Sequence, residues 1–146
     1  MDFETIRNLL VFVAVLATLI FVHELGHYLA ALRVGVKVDE FGIGFPPRMI
    51  KLFTFRGTDF TLNWLPLGGF VRPAGEDDPE VPGGLAAANP WARLTVLAAG
   101  SLFNFLLGYL VFTVGFATGW PDAVHINSVE PGTPAAQAGL LPGDVV

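Results

Sequence analysis

No cysteine occurs in the chain, which excludes disulfides and thiolate zinc ligands but says little about compartment. Charge is scarce too: Asp, Glu, Lys and Arg make up 14% of the 146 residues, and 53% are hydrophobic. An ordinary soluble domain carries about 25% charged residues, so this chain has too few to coat a globule. Lysine and arginine are missing altogether after Arg93, and Leu94 to Thr118 holds no charged side chain. A basic patch with interleaved aromatics is lacking and the formal net charge is −5, so no nucleic-acid partner is expected.

What the chain has instead is two long apolar runs, roughly Asn8 to Val34 and Leu94 to Thr118. Each is long enough to cross a hydrocarbon core of ~30 Å. Basic residues are placed unevenly around them. Lys37, Arg48, Lys51, Arg56 and Arg72 lie between the runs, Arg33 and Arg93 bracket them, and only Arg7 lies elsewhere. The positive-inside rule therefore puts the 36–92 loop in the cytoplasm, with the N-terminus and everything after about Gly119 outside.

Within the first run lies His23-Glu24-Leu25-Gly26-His27. Histidines four apart on a helix stand one turn above each other, so both imidazoles can reach one metal ion. Glu24 points beside such a site, where a general base for an attacking water belongs. Two histidines and a carboxylate in a membrane-length helix are costly unless function keeps them. His23 and His27 are thus expected as zinc ligands at membrane depth, with Glu24 catalytic.

The first helix is expected to begin near Thr5 to Asn8 and to end at Gly35. Val36 to Val71 reads as strands and turns, with Met49–Phe55 and Asp59–Leu65 flanking the turn Arg56-Gly57-Thr58. Phe60, Leu62 and Trp64 alternate with Thr61 and Asn63, giving one apolar and one polar face. Two readings stay open: a small cytoplasmic hairpin with its own core, or a hairpin dipping into the bilayer edge with a free strand edge for an unwound substrate. Ala74 to Asn89, containing Glu76-Asp77-Asp78-Pro79-Glu80, reads as a flexible acidic linker without chemistry. Asn89-Pro90-Trp91 starts the second helix, and Trp120 is expected to mark its other interface. Gly100, Asn104 and Gly108 share one face of that helix, which should meet the first; Asn104 either joins the helices or acts near the substrate. Val124–Val129 is expected as a strand and Thr133–Leu140 as a short helix ending at Gly139. The chain then reads as stopping in mid-domain.

Together these features resemble the site-2 protease family of intramembrane zinc metalloproteases, in its bacterial branch with a PDZ domain inserted after the second span. His23-Glu24-Leu25-Gly26-His27, Gly42-Ile43-Gly44-Phe45-Pro46, Leu67-Gly68-Gly69-Phe70-Val71 and Asn89-Pro90-Trp91-Ala92-Arg93 leading into Ala99-Gly100-Ser101-Leu102-Phe103-Asn104-Phe105 carry the resemblance. Val129 to Ala136, with Ala138-Gly139-Leu140 and Pro142-Gly143-Asp144, is similar to the opening of a PDZ domain. The resemblance implies an α-helical integral membrane protein of the bacterial inner (plasma) membrane. It has two transmembrane helices joined by a cytoplasmic, partly membrane-associated β-hairpin region, followed by the truncated start of a PDZ domain. The expected divisions are 1–35, 36–73, 74–90, 91–119 and 120–146.

By the same resemblance His23 and His27 bind Zn²⁺ and Glu24 is the base. Substrates are membrane-anchored proteins, such as an anti-sigma factor or a signal-peptide remnant, and the PDZ domain gates access by size. Ser101 stands where the family commonly has Pro. The third ligand in the family is an Asp in a later LDG motif, which this sequence does not contain, so the chain by itself is expected to bind zinc poorly and be inactive. His125, the one further histidine, falls on the external side and is not expected to be a ligand. The competing classes are a non-catalytic PDZ-bearing membrane adaptor and a soluble zincin released from a signal peptide. Against the latter, Asp2 and Glu4 outnumber Arg7, and no A-x-A site precedes His23.

Overall fold

The computed structural model describes residues 2–119 and 124–145, apart from the side chain of Leu67. Trp120, expected at a membrane interface, lies outside the described residues. Two compact units form, Met1–Gly108 and Tyr109–Val146.

Helix α1 spans Phe3–Val34, 32 residues, or about 48 Å at 1.5 Å per residue. It starts before the expected Thr5 because Asp2 caps it, its carboxylate accepting the Thr5 N–H at 2.9 Å. Gly35 ends it in the left-handed conformation, φ 78°, as a C′ glycine does. Only Gly26, Tyr28 and Ala31 of α1 are buried, while Leu9, Leu10, Val11, Phe12 and Val15 are exposed. An apolar helix that its own protein leaves uncovered suits lipid, not water. Helix α2, Pro90–Thr118, starts at the expected place, with Asn89 accepting the Ala92 N–H and Pro90 supplying the pre-set φ of a first turn. Both helices are long and apolar enough to cross a membrane.

Between them lie β1, Val38–Phe55, and β2, Thr58–Pro73, paired antiparallel about the expected turn, with Phe55 opposite Thr58. Each strand bends, so four segments lie side by side. Residues 69–73 pair with 38–43, the same 38–43 also meets 59–62, and 59–62 meets 50–54. Segments 69–73 and 50–54 are therefore the two edges. Glu40 pins three of these segments. Its buried carboxylate accepts hydrogen bonds from Thr61 at 2.7 Å and from Arg48 Nε at 3.1 Å, and it is ion-paired with Arg48 at 2.9 Å and with Arg72.

The hairpin is inside out relative to a water-soluble one. Its polar face is the buried one: Thr58, Thr61 and Asn63 are at most 3% exposed, bonded to Val38 O, the Glu40 carboxylate and Gly44 O. Its apolar residues Ile50, Phe53, Phe55, Trp64 and Leu65 are each more than half exposed.

Where the sheet meets the C-terminal half of α1, a core of Tyr28, Ala31, Val36, Val38, Phe41, Leu85 and Val96 closes the first unit. Tyr28, Phe41 and Phe60 form its aromatic centre, with ring centroids 5.3–5.7 Å apart. Leu85 belongs to the stretch expected as a flexible linker, which is instead tied down. Lys37 N–H donates to Gly83 O, Ala74 N–H to Lys37 O and Leu85 N–H to Ala74 O, at 2.8–2.9 Å. Glycine and proline here make turns that press the loop onto β1, which composition alone did not reveal.

In the second unit, α3 is shorter than expected, Pro134–Gln137, capped by Thr133. Gly139 does turn left-handed, at φ 80°. The expected strand from Val124 appears among the described residues only as one bridge, His125 to Val145.

Removing the Glu40 carboxylate (Glu40→Ala) leaves two arginines and a buried threonine without their acceptor. It should cost about 1.5–3 kcal/mol, read as a 10–100-fold loss of amide-exchange protection in β1 and β2. The exposed Lys51–Asp59 pair is different. Hydrogen bonds from Lys51 and Thr54 hold the Asp59 carboxyl below its ordinary 3.8. Its contribution is thus complete at neutral pH and is lost only as pH falls through that depressed value, so protection factors at the hairpin end, after correction for intrinsic exchange, should not change between pH 6 and 8 (about the neutral range).

Candidate metal centre

His23 and His27 stand on successive turns of α1, ring centroids 4.8 Å apart. The His27 Nδ1 lies 2.7 Å from the carbonyl oxygen of Val96 on α2. A carbonyl only accepts, so Nδ1 carries the proton and Nε2 keeps its lone pair free for a metal. His23 Nδ1 lies 3.5 Å from the amide nitrogen of Asn104. Thus both rings are held from α2 by their Nδ1 sides.

Their Nε2 sides converge on Gly100. A Cβ at that position would lie 2.6 Å from His23 Nε2 and closer still to His27 Nε2, nearer than real Cβ atoms come. The missing side chain leaves a small cradle in front of two imidazole lone pairs. Two such nitrogens fit two of the positions a zinc ion takes, but a catalytic zinc needs a third protein ligand. Among the described residues no group of three or more His, Cys, Asp or Glu is placed to hold a metal. His125 lies in the second unit, bridged to Val145.

Close approach of the helices depends on a second glycine. A Cβ on Gly26 would lie 2.6 Å from Ala99 O and 2.9 Å from Phe103 Cγ. Gly26, between the motif's two histidines, is thus where α2 crosses α1. The expected face of α2 meets α1 at Gly100 and Asn104, whereas nothing lies within 4 Å of a Cβ on Gly108.

Glu24 faces the sheet edge. The Val71 N–H is within reach of its carboxylate, and a Cβ on Gly69 would meet its Cγ at 3.6 Å. Beside it opens a cavity of about 260 Å³ lined by Glu24, His27, Phe70, Val71, Glu76 and Leu97, among others. Sequence patterning did not assign Val71, Val96 or Glu76 to this place. The first two act through backbone atoms, and Glu76 sits in an acid run that reads as a solvated loop.

Two imidazoles four apart, free at Nε2, with a carboxylate one residue on and a cavity between helix and sheet, are residue types that a zinc-peptidase centre of the HExxH type uses. The chain belongs to peptidase family M50, whose model matches residues 11–139; this is a family of zinc-dependent, membrane-associated peptidases. It is 43% identical over 144 residues to a Thermotoga maritima protein and 37% identical over 146 residues to a Vibrio cholerae protein, each named "Putative zinc metalloprotease". These alignments cover 92% and 96% of this chain, and 28% and 32% of the relatives. Similarity to metalloprotease MmpA of Caulobacter vibrioides is 36% over 157 residues, covering 90% of this chain and 39% of that protein. The chain therefore spans well under half the length of these relatives.

Gly100→Ala places a methyl against both Nε2 atoms. In the whole protein it should lower zinc retained on purification from about one ion per chain to a small fraction, measured by elemental analysis, whereas Gly108→Ala should retain it.

Proposed function

We propose that the whole protein is a zinc-dependent intramembrane endopeptidase that cleaves membrane-anchored protein substrates. His23 and His27 are two of its zinc ligands and Glu24 is its catalytic base. The observation that carries this reading is the convergence of both Nε2 atoms on the bare face of Gly100, on a helix long and apolar enough to cross a membrane. Membership of a zinc-peptidase family and the names of the relatives support it. The third ligand is an Asp from the remainder of the protein, in keeping with the relatives' greater length.

When bound, zinc supplies Lewis-acid chemistry for water and for the scissile carbonyl. Glu24 accepts the proton of the attacking water and delivers it to the leaving amine nitrogen, so that nitrogen departs neutral. Glu24 lines a cavity that it shares with His27, with the Val71 N–H within reach of its carboxylate. A helical peptide bond is shielded by its own turn, so the substrate unwinds before cleavage. The segment 69–73, an edge of the sheet beside Glu24, takes the unwound chain as an added strand. The outward apolar face of the hairpin favours the bilayer-edge reading over a hairpin in water, since Phe53 and Trp64 are exposed while Thr61 is buried.

Topology follows the distribution of Lys and Arg. The N-terminus is external, residues 36–92 are cytoplasmic in a bacterial inner membrane, and 120–146 begin an external PDZ domain that gates access by size. Substrates of this class include an anti-sigma factor or a signal-peptide remnant.

The test is cleavage of a single-span model substrate by the whole protein in vesicles. Glu24→Gln should lower the rate at least ~100-fold while leaving bound zinc in place. Undiminished cleavage by that variant contradicts the assignment.

A further inference from the structure

Asn104 belongs to a stretch that carries the family resemblance, yet the proposed chemistry gives its side chain no task. Its amide nitrogen lies 3.5 Å from His23 Nδ1, and its Oδ1 is buried without a hydrogen-bond partner. Three groups of α2 stand at four-residue steps against the two histidines of α1: Val96 O on His27 Nδ1, Gly100 under both Nε2 atoms, and Asn104 on His23 Nδ1. Four-residue steps keep all three on one face of α2. Val96 O fixes the His27 tautomer because a carbonyl has no proton to give. Asn104 occupies the equivalent place on His23, but an amide has both a donor and an acceptor end.

A histidine that offers Nε2 to a metal carries its proton on Nδ1, so the group facing Nδ1 must accept. The two ends of the Asn104 amide exchange by a half-turn of its terminal torsion, with no change of shape. The oxygen, otherwise without a donor, then receives the His23 Nδ1–H. We infer that Asn104 is a positioning residue for the metal centre. Through its side-chain oxygen it holds His23 in the tautomer and ring orientation that present Nε2 to zinc, as the Val96 carbonyl does for His27. This inference rests on the zinc-ligand reading of His23 and His27 and adds to it a residue on α2.

The measurement is the Zn²⁺ dissociation constant of the metal-stripped whole protein, by chelator competition, for wild type, Asn104→Leu and Asn104→Asp. Leucine keeps the volume without an acceptor and should weaken Zn²⁺ binding ~10–100-fold. Aspartate keeps an acceptor oxygen facing Nδ1 and should stay within ~3-fold of wild type, or bind tighter. Asn104→Leu is also made in a His23→Ala background, where it should have no further effect. Wild-type affinity in Asn104→Leu overturns the inference. So does equal weakening by Leu and Asp, or an undiminished loss in the His23→Ala background, each of which marks Asn104 as a packing residue only. Failure of wild type itself to bind Zn²⁺ overturns the proposed function, a result distinct from the others.

Discussion

Everything in the first unit depends on how closely α2 is allowed to approach α1. Gly26 and Gly100 set that distance, one on each helix, and both positions are too tight for a Cβ. With the backbones so near, a main-chain carbonyl reaches one imidazole and an amide side chain comes within 3.5 Å of the other. Small residues achieve such approaches inside a membrane, where apolar attraction between helices has little to add over lipid. The same contact leaves the two Nε2 atoms facing the bare backbone of Gly100. Helix packing and the placing of the two imidazoles are therefore one constraint.

The sheet serves that contact from the other side. Glu40 ties the segments around residues 40, 48, 61 and 72 together, and the edge it steadies runs past Glu24 at Gly69 and Val71. A buried carboxylate with two arginine partners and a hydroxyl is satisfied at every turn, which is what makes its burial tolerable. The distribution of polarity then becomes intelligible. Polar side chains needed to hold bent strands together lie inside, and aromatic ones are left for an apolar surrounding. The loop from Ala74 to Asn89 closes the arrangement, with Leu85 in the core and Glu76 at the cavity wall.

Helices, turn and the pairing of the two histidines on one helix face were legible in the sequence because each rests on local chemistry. Asn89-Pro90 starts α2, Gly35 ends α1, Arg56-Gly57 turns the hairpin, and the four-residue histidine spacing needs no tertiary knowledge. The near face of α2 was legible too, from Gly100 and Asn104. Their separate tasks were not, since periodicity gives a face and not a partner. The roles of Val96 and Val71 were hidden because they belong to the backbone, which is the same in every residue. Alternation in β2 showed two faces but not which one is covered, and the solvent that would decide this is absent from a hydrophobicity pattern. The linker misled for a different reason: glycine, proline and acids describe a tight turn as readily as a mobile one.

The central claim is that two imidazoles of α1 hold a zinc ion by their Nε2 atoms. X-ray absorption at the zinc K edge of the whole protein in lipid tests it most directly. The account predicts two imidazole nitrogens at about 2.0–2.1 Å with oxygen ligands completing a four-coordinate shell. A spectrum without imidazole scattering, or one unchanged when both histidines are replaced, would contradict it.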